Sequence, residues 1–234
     1  MLRVLALTAA LAAPLGGGHV ERELAGRSVE GRPIQLYAVG PVDARFRILV
    51  VGCIHGDECA GTAVTRWLLR AAAAPVGVRL LVVQNLNPDG FVRGRRQNAR
   101  GVDLNRNFGS EWRRLGRRWT PQYAGPRAWS EPETRLGRSL VERLRPDVTI
   151  WFHQPQALVR AWGPSVGVAR VYARLARMPY RSLRWPHGTG PNWQNHRFPG
   201  DAAFVVELPA GTLTAAAAER QVQAILGLRR AIAR

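Results

Sequence analysis

The sequence predicts an α/β fold, a single domain built on a mixed, mostly parallel sheet with helices on both faces. Short apolar, β-branched runs at Phe46–Gly52, Val78–Asn85, Asp147–Phe152 and Ala203–Leu208 have the composition of strands covered on both sides. Segments with helical spacing alternate with them, which is the pattern of a layered α/β sheet. The 234 residues suffice for one large core, and no repeat, low-complexity tract or linker divides them.

In chain order, Met1–Pro14 joins a charged start to a short apolar run and small residues, so residues 1–18 read as an export signal followed by the Gly16-Gly17-Gly18 hinge. The folded domain then occupies residues 19–234. Ile34–Val39 alternates apolar and polar side chains, as a strand with one wet face does. After the Pro41 turn and the first buried strand, Ala60–Ala71 carries helical spacing. The second buried strand leads to a turn at Asn87-Pro88-Asp89-Gly90. A long loop from Arg96 to Phe108 follows, and such loops are uncommon in compact domains unless they carry function. Gly109–Ala128 has no period and reads as surface loop. Ser130-Glu131-Pro132-Glu133 has capping-box spacing for a helix ending near Arg143, with Ser130 as the cap. Ala157–Trp162 reads as a short strand, Val168–Arg177 as a surface helix, Pro186–Gly200 as loop and Leu213–Ala233 as a closing amphipathic helix.

Hydrophobic residues make up 46% and charged residues 21%, which excludes a wholly disordered chain. The net charge is +18 and every one of the 34 basic residues is Arg, scattered rather than blocked. Scatter is the mark of a coding bias, yet a field of this size favours polyanionic surroundings such as acidic cell-wall polymer, anionic lipid or nucleic acid. No stretch reaches the roughly 20 apolar residues of a transmembrane span. Cys53 and Cys59, one ending a strand and the other entering a helix, are expected to be small buried fillers rather than a bridge. Their spacing matches no familiar zinc pattern.

Sites in α/β sheets form beyond the carboxyl ends of parallel strands, where His55-Gly56-Asp57-Glu58, the Asn87 turn and Phe152-His153 all fall. Hydrolytic zinc takes three ligands from His, Asp or Glu and leaves one position open, and two His with one Glu is an established set. His55, Glu58 and His153 supply it for one Zn2+. Glu207, at the end of a buried strand, would be costly without a counter-charge, so it is either one half of a structural salt bridge or a base beside a cation. Singly, each signal is commonplace. Arg93, Arg95 and Arg100 read as solvated charges, and a basic polymer- or nucleic-acid-binding module with structural His and Glu is the rival reading from another class.

Together the motifs Gly52-Cys-Ile-His-Gly-Asp-Glu58, Asn87-Pro-Asp-Gly90, Arg96-Gln-Asn-Ala-Arg-Gly-Val-Asp-Leu-Asn-Arg-Asn-Phe108, Ser130-Glu-Pro-Glu-Thr134, Phe152-His153 and the strand ending at Glu207 resemble the zinc carboxypeptidase family. The likeness runs from about Arg27 to the C-terminus. It is nearer the murein peptide amidase and succinylglutamate desuccinylase-like branch than the digestive carboxypeptidases. The resemblance implies that His55, Glu58 and His153 bind zinc and that Asp103 orients His55. It further implies that Glu207 is the general base, that Arg96 polarises the scissile carbonyl, and that Asn105 and Arg106 hold the substrate's terminal carboxylate. The implied protein is a monomeric zinc metallopeptidase that cleaves an amide bond next to a free carboxylate in a peptide or muropeptide substrate, and the same pocket would serve a general metallocarboxypeptidase or an N-acyl amino acid deacylase; the basic surface adds acidic cell-wall polymer as a further partner, with no specific nucleic acid. With the export signal, it would be secreted, periplasmic or wall-associated; without one, cytoplasmic. The family's mobile capping Tyr has no counterpart at Tyr172 or Tyr180, and the segment carrying Trp185, His187, Thr189, Asn192 and Trp193 takes its place.

Overall fold

The computed structural model describes residues 19–232, so the expected export signal lies outside the described residues. Strands β1 (Val20–Arg27), β2 (Pro33–Val39) and β3 (Phe46–Val51) lead to helix α1 (Gly61–Ala71), β4 (Val78–Val83) and a short α2 (Pro88–Val92). After the long loops come α3 (Pro132–Leu144), β5 (Val148–His153), β6 (Gln156–Ala161), α4 (Val166–Ala176), β7 (Tyr180–Ser182), α5 (Gly190–Arg197), β8 (Ala202–Pro209) and α6 (Ala215–Ile232). The eight strands form one sheet in the order β1-β2-β4-β3-β5-β8-β6-β7.

The four apolar runs are β4, β3, β5 and β8, adjacent and mutually parallel at the centre of the sheet. That is where a strand must be apolar on both faces. Trp151 and Phe152 on β5 show the two layers, since successive strand residues point to opposite faces. Phe152 meets Gly61 of α1, while Trp151 packs edge-on to Phe108 at 5.8 Å and lies against Gly190 of α5. Helices α1 and α4 both pack on α6, and α3 packs on the opposite layer, its Gly137 against Phe108. Among the described residues no helix is long and apolar enough to cross a membrane.

Three local expectations change, and one strand was not anticipated. The edge strand β1 is mostly exposed and lacks apolar alternation, so its pairing with β2 rather than its own pattern defines it. Helix α5 replaces part of the loop expected over Pro186–Gly200. Six of its eight residues are buried, so it has no wet face to create a helical period; its signal is the Thr189 cap followed by proline in the first turn. Ser130 does not cap α3: Glu131 sits at the cap position without a side-chain bond, and the Ser130 hydroxyl donates to Glu131 Oε1 at 2.7 Å. Cys53 and Cys59 are joined as a disulfide, against expectation, because the loop between them doubles back until their Cα atoms are 4.8 Å apart.

That loop is pressed against the turn after β4. A Cβ on Gly56 would lie 2.0 Å from the Gly90 carbonyl carbon, backbone that cannot yield cheaply. Gly56→Ala should therefore lose about 1–3 kcal/mol in denaturant unfolding, the usual scale of overpacking. Gly167→Ala, in α4 with open space around it, should instead gain up to about 1 kcal/mol from helix propensity. A Gly56→Ala protein as stable as the parent would contradict the packing described.

Candidate functional site

The chain leaves β3 toward β4 on one side and later returns to β5 on the other, so the carboxyl end of β3 is a switch point where loops diverge and a crevice opens. His55 and Glu58 lie on the loop just past β3, His153 ends β5, and Glu207 is its register partner on β8. Four residues from three segments far apart in sequence thus meet because their strands are neighbours.

His55 Nδ1, His153 Nδ1 and Glu58 Oε2 form a triangle with sides of 2.9, 3.0 and 3.1 Å. Bonds of about 2.0–2.1 Å to a tetrahedral zinc ion would separate ligand atoms by roughly 3.3 Å, so the triangle is close to the size the ion requires. Two ring nitrogens and a carboxylate oxygen this close together, with two nitrogens 3.1 Å apart, make better sense as a donor set than as a hydrogen-bonded trio. His55, Glu58 and His153 also form the candidate metal-holding group found among the described residues.

Asp103 completes the arrangement around His55. It is fully buried, takes His55 Nε2 at 2.9 Å and Arg96 Nε at 3.0 Å, and accepts the Asn105 backbone N–H at 2.9 Å. A proton on Nε2 leaves the Nδ1 lone pair free for a metal, which fixes the tautomer. Burial opposes the charge on Asp103, but His55, Arg96 and Arg106 overcome it and hold the carboxyl well below its usual range. Burial likewise works against charge on the two histidines. Asp103 and Glu58 nevertheless raise His55, while His153 falls to about 4 because its neighbours offset burial less.

The remaining predicted residues line the same cleft, which has a volume of about 260 Å³. Arg96 also pairs with Glu58, so its guanidinium sits at the edge of the donor triangle. Asn105 accepts the Gly190 N–H at 3.0 Å, and its Nδ2 lies 3.2 Å from His153 Nε2. Arg106 is anchored only by a bond from Nη1 to the Asn105 carbonyl at 2.8 Å, and its head is free for a ligand. Glu207 makes no ion pair; it takes one long bond from Gln156 at 3.4 Å, and its Oε2 has no partner. Burial, then the nearby Glu58 carboxylate, pushes its pKa up to about 7. The salt-bridge reading of Glu207 therefore fails on geometry.

The three arginines read as solvated are exposed: Arg93 pairs with Glu30, Arg100 reaches the buried Glu131 at 3.8 Å, and Arg95 lies over Trp119 at 5.5 Å. Tyr172 is buried against Gln221 at 2.7 Å, away from the cleft. Of the segment expected to replace a capping Tyr, Trp185 and Thr189 line the cleft with Pro186 and Pro191, whereas Trp193 packs on Phe108 and Trp129 and Asn192 bonds Glu111. Sequence reasoning missed Gln154, which accepts from Ala60 at the start of α1 and donates to Pro209 and Gly211 beyond β8. It also missed Arg160 of β6 as a cleft residue. Neither had any signal beyond its place after a strand-end His.

Comparison with known proteins agrees with this geometry. Murein peptide amidase A of Escherichia coli is 34% identical over 145 residues, covering 57% of this chain and 59% of that protein. The Vibrio campbellii murein peptide amidase A is 35% identical over 145 residues, covering 57% of this chain and 58% of its own. The chain thus spans about three fifths of the length of these curated relatives. The solved murein-tripeptide amidase of Escherichia coli O157 superposes with a TM-score of 0.71 at 27% identity, over 89% of this chain and 91% of that one. Carboxypeptidase A of Helicoverpa armigera gives 0.77 at 20% identity, over 92% and 69%, a likeness of fold. The zinc carboxypeptidase family model matches residues 17–166, which carry all three members of the donor triangle, and the chain belongs to that family.

Proposed function

We propose that the protein is a zinc-dependent hydrolase that cleaves an amide bond next to a free carboxylate, with peptidoglycan-derived peptides as its substrate class. The observation that carries this reading is the donor triangle with an unpartnered, desolvated carboxylate, Glu207, on the adjoining strand. Zinc held by His55, Glu58 and His153 would supply Lewis acidity, polarising a carbonyl and acidifying water. Glu207 then takes a proton from the attacking water and returns it to the departing amine, as a general base that becomes the general acid. Arg96 faces the carbonyl oxygen and stabilises the charge that develops there. Asn105 and Arg106 grip the carboxylate beside the bond, Arg106 through its planar fork.

The choice of peptidoglycan fragments rests on the murein peptide amidases among the relatives, which cover only part of their length, and on three features of this chain. The charge of +18 suits acidic wall material. A Cys53–Cys59 disulfide and an export signal in residues 1–18 both fit an oxidising compartment outside the cytoplasm.

Glu207→Gln tests the assignment of the base. The variant should keep its metal and lose at least about a hundredfold in turnover, the usual scale of general-base catalysis. It should also change the pH dependence of stability. A carboxyl whose pKa rises from 4.5 to about 7 on folding keeps its proton in the folded state through that window, so metal-free parent loses stability as the pH rises across it. Glu207→Gln should lack that part of the slope. Normal turnover with an unchanged slope would assign Glu207 to structure.

The two arginines should separate binding from chemistry. Arg106→Ala removes a contact present equally in ground and transition states and should mainly raise KM. Arg96→Ala should mainly lower kcat, by roughly a hundredfold or more, as loss of an oxyanion donor does. Amidation of the substrate's free carboxylate should penalise the parent and leave Arg106→Ala almost indifferent; an equal penalty in both would remove Arg106 from that role.

A further inference from the structure

The arginines look scattered along the sequence, yet ten of the 34 basic residues and only two of the 16 acidic ones fall within residues 93–129. Neither acid is free to balance them. Asp103 is fully buried between His55 and Arg96, and Glu111 is taken by Asn192 at 2.9 Å and Arg184 at 3.3 Å. Four of these arginines form a chain of contacts around one indole. The Arg95 and Arg118 heads lie 5.5 and 5.8 Å from the Trp119 ring centre, Arg118 Nε donates to the Arg100 carbonyl at 2.8 Å, and Arg100, Arg118 and Arg127 line one surface pocket with Tyr123. All four arginines and Trp119 are exposed. Among the described residues only Arg100 of the four approaches a carboxylate, the buried Glu131, and only to 3.8 Å.

An exposed arginine needs no partner, so bare charges decide little by themselves; their fixed placement decides more. The backbone carrying this stripe has no helix or strand and is pinned to the loop that builds the cleft. The Trp119 N–H bonds the Gly101 carbonyl at 3.1 Å, the Pro121 carbonyl accepts from Arg96 Nε at 3.0 Å, and the Tyr123 carbonyl accepts the Asp103 N–H at 2.8 Å. The stripe thus flanks the cleft, and none of its residues lines it. Like charges held side by side sum to a field that a single arginine lacks, and a surface already in place loses little freedom on binding. Guanidinium forks suit repeated carboxylate or phosphate groups, and the indole adds apolar area among them. A nucleic-acid strand calls for a succession of rings on which to stack. The stripe exposes one, Trp119, with Tyr123 partly buried.

We propose that the stripe Arg95–Trp119–Arg118–Arg100–Arg127 docks a linear acidic polysaccharide, which keeps the protein on an anionic polymer while the cleft beside it stays open. Its purpose rests on the hydrolase reading above, to which it adds a surface and a partner. Two sources share the chemistry: a polymer charged by uronate carboxylates and one charged by phosphates.

The test titrates the zinc-loaded protein at several salt concentrations with a linear polyuronate, a phosphorylated dextran, uncharged dextran and a single-stranded oligonucleotide of matched length. One of the two acidic polysaccharides should bind most tightly, more weakly as salt rises, and the tighter of them identifies the source. Arg95→Gln/Arg118→Gln should weaken that binding about tenfold or more, the scale of two charge-assisted contacts, and flatten its salt dependence. Arg220→Gln/Arg230→Gln removes the same charge from exposed positions of α6 and should change it less than about twofold, since screening confines the effect of a distant charge. Trp119→Leu should weaken binding severalfold with the salt dependence unchanged, because the indole carries no charge. Equal losses in the two double variants would reduce the stripe to diffuse charge and overturn the proposal. So would a tighter grip on the oligonucleotide, equal binding of uncharged dextran, or full affinity in Trp119→Leu. Because binding is read without turnover, the two readings fail separately: a protein that holds the polymer through the stripe and cleaves nothing loses only the hydrolase reading, and an active hydrolase that ignores all four polymers loses only the stripe.

Discussion

The buried carboxylate of Asp103 is the contact on which the site depends. It joins the long loop to the ligand loop through His55, holds Arg96 at the mouth of the donor triangle, and turns the chain at Asn105 by accepting its N–H. A carboxylate with no exposed surface survives only if charges and donors surround it, and here each of those partners is a residue placed in the site. Structural necessity and catalytic geometry therefore select the same side chains. Losing Asp103 would free His55 to adopt the other tautomer and take from Arg96 one of its two carboxylate partners.

The scaffold around that contact follows the same economy. The loop from Arg96 to Phe108 has little regular structure of its own, so its polar side chains take over the work of a ladder. Asn107 donates to the Ala124 and Arg127 carbonyls and accepts from Thr134. Asn98 bridges Glu131 and Glu133 at 2.8 and 3.1 Å and accepts from the Val102 backbone. Buried backbone must be satisfied somewhere, and these asparagines satisfy it while leaving Asn105 and Arg106 to face the cleft.

Much of this was legible in the sequence, for physical reasons that also explain the failures. Strands covered on both faces must be apolar along their length, so β3, β4, β5 and β8 announced themselves, and residues at their carboxyl ends marked the crevice. The motif residues His55, Glu58, Arg96, Asp103, Asn105, Arg106, His153 and Glu207 come together as the resemblance implied. What was hidden depends on tertiary context. Helix α5 is buried on nearly every side and has no period to read. The Cys53–Cys59 pairing needs the exact path of the loop. Arg160 looked like one more arginine among many until its missing partners and its place in the cleft could be seen.

The central claim is that three residues from two strand ends form one zinc site. Metal content of the protein purified without chelator and dialysed against trace zinc tests it most directly. The arrangement predicts about one zinc ion per chain, lost when His55 or His153 is replaced by Ala, because three preorganised ligands hold the ion and two do not. Less than about a tenth of an equivalent in the parent, or an unchanged content in both variants, would contradict it.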